Sequence, residues 1–163
     1  MEPMDLNDAI RDVLLVLNGE FRRRGLDASF EAGPSLLAVL GDRTQLQQVL
    51  LNLVMNSVEA MAEADTVGGR LTICTAAGEI GFARVSVLDT GPGLNEDCID
   101  RIFEAFFSTK SGGMGMGLSI CRSIVEAHGG TLSMSPVEPH GSEFCIVLPR
   151  VRGSPASLAS AQV

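Results

Sequence analysis

The chain has 163 residues, 45% of them hydrophobic and 4% aromatic, with neither Trp nor Tyr. That length suits one domain large enough to bury a core, and the composition makes the core one of Leu, Val, Ile and Met. The 12 basic and 20 acidic residues leave a net charge of -8, which excludes a general nucleic-acid or anionic-membrane surface, because no basic field would draw in a phosphate backbone.

Leu6, Ile10, Val13, Leu14 and Leu17 recur at helical spacing, and the Phe-Arg-Arg-Arg-Gly exit places cations at the C-terminal end of a helix over 5–24. Two short strands follow, over 26–32 and 36–40, around Gly33-Pro34. Asp42 suits the N-cap of a long helix over 44–64, which Gly68-Gly69 closes off. Strands over 71–75 and 83–88 precede Asp89-Thr90-Gly91-Pro92-Gly93 and a short helix near 96–103. A glycine-rich loop leads into a helix over 116–128, stopped by Gly129-Gly130, and strands over 131–135 and 142–148 complete the set. The Ser/Ala-rich stretch from 152 is expected to be disordered. This order predicts an α/β two-layer sandwich, a mixed β-sheet covered on one face by three main helices, with one domain over 1–150 and a tail over 151–163.

Cys74, Cys98, Cys121 and Cys145 are widely spaced with no C-x-x-C pair, so they read as reduced thiols of a cytoplasmic protein. With two histidines, His128 and His140, a His-based zinc site is not expected. No apolar run reaches the ~18 residues of a membrane span and no signal peptide is evident. The expectation is a cytoplasmic domain without membrane contact of its own, compatible with a soluble or a membrane-anchored parent.

Three stretches carry chemistry. At 100° per residue, Leu46, Val49, Leu50, Leu53, Val54, Val58 and Met61 share one side of the long helix, and Gln45, Gln48, Asn52, Asn56, Glu59 and Glu63 a stripe opposite. Asn52 and Asn56 are poor helix formers one turn apart; they fit either a solvated face or a ligand face, where an amide oxygen suits a hard cation such as Mg2+. Asp89 at a strand end, before Gly91 and Gly93, is either an ordinary Asx-turn or an acceptor for an amino group such as that of adenine. The loop over 108–120 fails the P-loop pattern because Lys110 precedes its glycines, and fails the Rossmann pattern because Gly113, Gly115 and Gly117 give G-x-G-x-G without a preceding strand. What remains is a hinged loop whose amides, with the next helix N-terminus, face an anion; the apolar Phe106-Phe107 beside it suits a lid or a docking surface.

Together these stretches resemble a known family. The run Gln47-Gln48-Val49-Leu50-Leu51-Asn52-Leu53-Val54-Met55-Asn56-Ser57-Val58-Glu59-Ala60 resembles the N box of sensor histidine kinases, and Asp89-Thr90-Gly91-Pro92-Gly93-Leu94 their G1 box. Ile102 to Lys110 is similar to their F box, Gly113-Met114-Gly115-Met116-Gly117-Leu118 to their G2 box, and Gly141-Ser142-Glu143-Phe144 to their closing strand motif. The resemblance covers nearly all of residues 5–150 and implies the Bergerat ATP-binding fold shared with gyrase and MutL ATPases.

By position, the resemblance makes Asn56 the Mg2+ ligand, with Asn52 beside it near the phosphates. Asp89 takes the adenine amino group with support from Ser142, and Gly91 and Gly93 shape the pocket floor. Lys110 and the loop around Gly113, Gly115, Gly117 and Leu118 close as a lid, and Asn56 and Lys110 are the catalytic candidates. The implied function is to bind Mg·ATP and donate its γ-phosphate to a histidine on separate dimerisation and phosphoacceptor helices, upstream of a response regulator. Such a domain by itself is expected to be monomeric. The alternatives are a serine kinase or ATPase of the same fold, or a non-catalytic nucleotide-binding module; hydrolases of this fold place Glu where Asn52 stands. Ala105 replaces a common Pro, Ser57 a common Ala and Ser142 a common Thr, the latter two read as mild changes. Neither His128 nor His140 has a phosphoacceptor's helical context, so the chain reads as the catalytic domain alone, starting just after those helices.

Overall fold

The computed structural model describes residues 1–33, 37–99, 101–104 and 117–151. In chain order its elements are β1 (Glu2–Asp5), α1 (Leu6–Arg24), β2 (Asp27–Glu31), β3 (Ala38–Gly41), α2 (Arg43–Glu63), β4 (Arg70–Ala77), β5 (Phe82–Asp89), α3 (Glu96–Ile99), α4 (Gly117–Ala127), β6 (Thr131–Pro136) and β7 (Ser142–Pro149). Five strands form one mixed sheet in the order β2-β4-β5-β7-β6. Only the β2–β4 pair is parallel; β4–β5, β5–β7 and β6–β7 are antiparallel.

The sequence dictates which face the helices cover. Period-2 alternation puts Leu71, Ile73, Val85, Val87, Phe144, Ile146 and Leu132 on one face, and cross-strand register aligns them in rows such as Ile73–Val87–Phe144–Met134. These rows merge into one core with Ile10, Val13 and Leu17 of α1, Leu46, Val49, Leu53, Val54, Val58 and Met61 of α2, and Cys121 and Val125 of α4. The expected sandwich of a mixed sheet and three main helices is therefore what forms.

Both long helices are capped as their ends suggest. Asp42 accepts from the Gln45 amide at 3.1 Å and opens α2. Gly25, at φ 66°, closes α1 in the left-handed conformation that lacks a Cβ penalty, its N–H reaching back to the Arg22 carbonyl.

Two details depart from expectation. β1 was not anticipated; it pairs with β3 in a separate two-stranded sheet. A four-residue strand containing Pro3 carries no alternation to read, and its pairing of Asp5 with Ala38 is set by the fold at large. The short helix expected near 96–103 is α3 alone, four residues long, followed by a turn over 101–104. The expectations for Lys110, Gly113, Gly115, Ala105, Phe106-Phe107 and the tail from 152 fall outside the described residues.

Candidate functional site

Asp89 is the last residue of β5, and alternation turns its side chain to the same face as Val85 and Val87. Register places it in one row between Leu71 of β4 and Ser142 of β7. The chain thus ends an apolar column with a carboxylate that is only 5% exposed, beneath the helical layer. Burial pushes the Asp89 carboxyl above the ordinary carboxylate range; the Gly91 amide, the Ser57 side chain and the Ser142 amide pull it part of the way back. The Gly91 N–H donates to its Oδ1 at 2.9 Å. A buried carboxylate that is short of charged partners keeps acceptor capacity for a donor brought by a ligand.

The glycines beside it are needed for close approach. A Cβ on Gly91 would sit 3.0 Å from Asp89 Oδ1 and 3.1 Å from Met61 Cγ. Gly93, at φ 73°, passes so near Gly141 that a Cβ would lie 2.8 Å from its carbonyl oxygen. Gly141, at φ 131°, would drive a Cβ into the Asp89 carbonyl oxygen. The turn before β7 also closes on this corner through His140 Nδ1, 3.1 Å from the Gly91 carbonyl oxygen. Gly91, Gly93, Asp89 and Ser142 are therefore brought together, as the sequence indicated.

The second half of the site lies on α2. Asn52, Asn56 and Glu59 are half-buried on one stripe, opposite the side that packs on the sheet. Asn52 Nδ2 donates to Cys121 Sγ on α4 at 3.5 Å, a contact that sequence reasoning missed. Cys121 is fully buried, and that burial raises its thiol pKa while the Asn52 contact lowers it. The polar stripe of α2 thereby runs up to α4, whose first residues are Gly117 and Leu118. A Cβ on Gly117 would meet open space, whereas Leu118 packs on the core and anchors the start of the helix. At the near end of the F-box stretch, Ile102 is buried and the Phe103 ring lies under the Arg122 guanidinium, 5.0 Å from ring centroid to Cζ. Both flanks of the glycine-rich stretch are thus tied to α4.

A metal here would find amide oxygens rather than a carboxylate cage, since the described residues hold no group of three or more His, Cys, Asp or Glu suited to one. The half-buried Asn56 carries a side-chain amide oxygen, a hard donor of the kind that Mg2+ takes.

His128 has a structural occupation. Its Nε2 accepts from the Asp42 amide at 3.0 Å, so the ring proton sits on Nδ1, 2.7 Å from the Ile124 carbonyl oxygen. It fastens the end of α4 to the start of α2 and is 7% exposed, which suits a helix-end residue and not a phosphoacceptor. No helix among the described residues is long and apolar enough to cross a membrane.

Comparison with known proteins agrees with this geometry. A profile of the histidine kinase-, DNA gyrase B-, and HSP90-like ATPases matches residues 41–152, which contain α2, Asp89 and Ser142. The sensor histidine kinase TmoS of Ectopseudomonas mendocina is 36% identical over 150 residues, covering 91% of this chain and 15% of TmoS. The nucleotide-free catalytic domain of histidine kinase ThkA superposes with a TM-score of 0.82 at 37% identity, covering 92% of this chain and 97% of that domain. ThkA in complex with the response regulator protein TrrA superposes at 0.78, with 35% identity over 91% of this chain and 41% of that one. The chain thus spans a small part of TmoS and less than half of the kinase in that complex.

Proposed function

This chain belongs to the histidine kinase-, DNA gyrase B-, and HSP90-like ATPase family, and from that premise we propose that it binds Mg·ATP and donates the γ-phosphate to a histidine on separate dimerisation and phosphoacceptor helices, in two-component signalling. The observation that carries this reading is the buried Asp89 carboxylate at the end of β5, held by the Gly91 amide and set in one row with Ser142.

Asp89 accepts the adenine amino group, Ser142 supports that contact, and Gly91 and Gly93 let the backbone approach the base. Asn56 holds Mg2+ when the metal is bound, which neutralises phosphate charge; Asn52 lies beside it. Lys110, Gly113 and Gly115, with Gly117 and Leu118 at the start of α4, cover the triphosphate. The eleven-residue α4 begins at Gly117 and brings the partial positive charge of a helix N-terminus to that anion. Phosphoryl transfer asks mainly for positioning and charge neutralisation, and this residue set supplies those without a general base. The base, where one is used, sits beside the acceptor histidine. The likeness to ThkA, whose complex contains a response regulator, supports a response regulator as the downstream partner. The functional unit is taken as residues 1–150, with 151–163 as a tail.

The test mixes the chain with a cognate dimerisation and phosphoacceptor fragment and labelled ATP. The expected product is acid-labile, base-stable phosphate on the fragment's histidine. Phosphoserine, or free phosphate with no labelled protein, would replace this reading with that of a serine kinase or an ATPase of the same fold.

A further inference from the structure

Ser57 stands out once the packing is known. In sequence it is a small residue within the N box, where a common Ala is replaced by Ser. In the structure it lies on the sheet-facing side of α2, 1% exposed, among Leu53, Val54, Val58 and Met61. Its Oγ is fully buried and makes no hydrogen bond of standard geometry, the one such side-chain atom among the described residues. An unpaired buried hydroxyl costs about 1–3 kcal/mol, and alanine would avoid that cost in nearly the same volume. The polar group against which it lies is the Asp89 carboxylate, on whose charged form it acts favourably.

We propose that Ser57 is a positioning residue for the base pocket: its hydroxyl donates to the Asp89 carboxylate when a nucleotide is bound, holding that carboxylate in the orientation that accepts an exocyclic amino group. In the structure the carboxylate accepts from the Gly91 amide at 2.9 Å, and the Ser57 hydroxyl makes no hydrogen bond of standard geometry. A donor arriving from the ligand recruits one carboxylate oxygen, and a small rotation brings the other onto Ser57 Oγ. The buried hydroxyl is thus an unspent donor that becomes satisfied in the complex, adding its strength to base recognition. Because it lies behind Asp89 and is inaccessible to solvent, it acts on the ligand through the carboxylate.

The inference rests on the adenine-site reading above. The titratable groups of the surrounding elements nearest in sequence to this corner are Glu59 and Glu63 of α2, Arg70 of β4, His140 in the turn before β7 and Glu143 of β7. No charged side chain is among the groups that shift Asp89, so a change in its titration on altering Ser57 reports on that one contact.

The experiment compares the full chain with its Ser57→Ala variant by calorimetric titration of Mg·ADP and Mg·IDP between about pH 5 and 8, alongside carboxyl-carbon NMR titration of Asp89. Losing a donor to a carboxylate raises its pKa, so the Asp89 titration moves to higher pH in the variant. ADP affinity then falls about 3–10-fold at neutral pH, with its acid-side decline also shifted upward. IDP, which lacks the exocyclic amino group, is affected far less, and the melting temperature stays the same or rises. An unchanged Asp89 titration, or equal losses for ADP and IDP, overturns the role of Ser57. Absence of ADP binding by the unaltered chain overturns the adenine site itself, a different failure that leaves the Asp89 titration to decide whether Ser57 holds the carboxylate.

Discussion

The two ends of the site are built in different ways. The proposed base end is made from strand termini: Asp89, Ser142 and Leu71 occupy one register row, Gly93 and Gly141 pack backbone against backbone, and Gly91 lies against the Asp89 and Met61 side chains. The proposed phosphate end is made from helix surfaces, with Asn52 of α2 reaching Cys121 of α4 and Asn56 one turn further along α2. A sheet fixes its side chains by the same hydrogen bonds that hold it together, so the base end is set before any ligand arrives. In the proposed function, recognition of the base belongs to the first region and contact with the phosphates to the second.

Substitutions at the two ends should separate accordingly. Asp89→Asn gives the largest effect: ADP affinity falls about 100-fold, the ~3 kcal/mol of a hydrogen bond to a charged group. Its melting temperature holds or rises, because a buried charge with a raised pKa has been removed. Equal losses for ADP and IDP would show that this corner does not read the base. Asn56→Ala lowers Mg·ATP affinity about 30-fold while adenosine binding is unchanged, the mark of the phosphate end; weaker adenosine binding would dissolve the separation. Gly91→Ala costs about 10-fold in ADP affinity, as the new methyl meets Asp89 Oδ1 and Met61 at 3.0 and 3.1 Å. Cys121→Ala, which removes the sulfur partner of Asn52, changes ADP affinity less than about 3-fold and costs ~1 kcal/mol in packing, measured by denaturant unfolding.

A pH series sharpens the same contrast, because one group drives two opposite trends. Asp89 titrates higher in the folded chain than unfolded, so the folded state binds its proton more readily and stability from this group rises as pH falls toward the ordinary carboxylate range. Base binding needs the ionised acceptor and weakens over that same interval. Asp89→Asn should abolish both trends together, read by thermal melts and calorimetry; loss of one without the other would mean that a second group is titrating.

How much of this was legible in the sequence follows the same division. The α2 stripe is a local pattern, and its buried positions and its Asp42 cap are where periodicity puts them. Asp89 and its glycines were equally readable, because a strand end followed by glycines is a local signal. The contacts between distant segments were not. Asn52 meets Cys121 and His128 meets Asp42 because α2 packs on α4, and no spacing in the chain announces that. β1 was missed for the same reason, since its pairing with β3 depends on the whole intervening helix. Ser57 was visible as a substitution and read as mild; only the packing of α2 over the end of β5 shows that it lies against a buried carboxylate.

The central claim, that the end of β5 receives an adenine, is tested most directly by a crystal structure of the chain with Mg2+ and a non-hydrolysable ATP analogue. The account predicts the exocyclic amino group within about 3 Å of an Asp89 carboxylate oxygen and the phosphates between Asn56 and the start of α4. Adenine bound elsewhere, or a base that leaves Asp89 without a ligand contact, would contradict it.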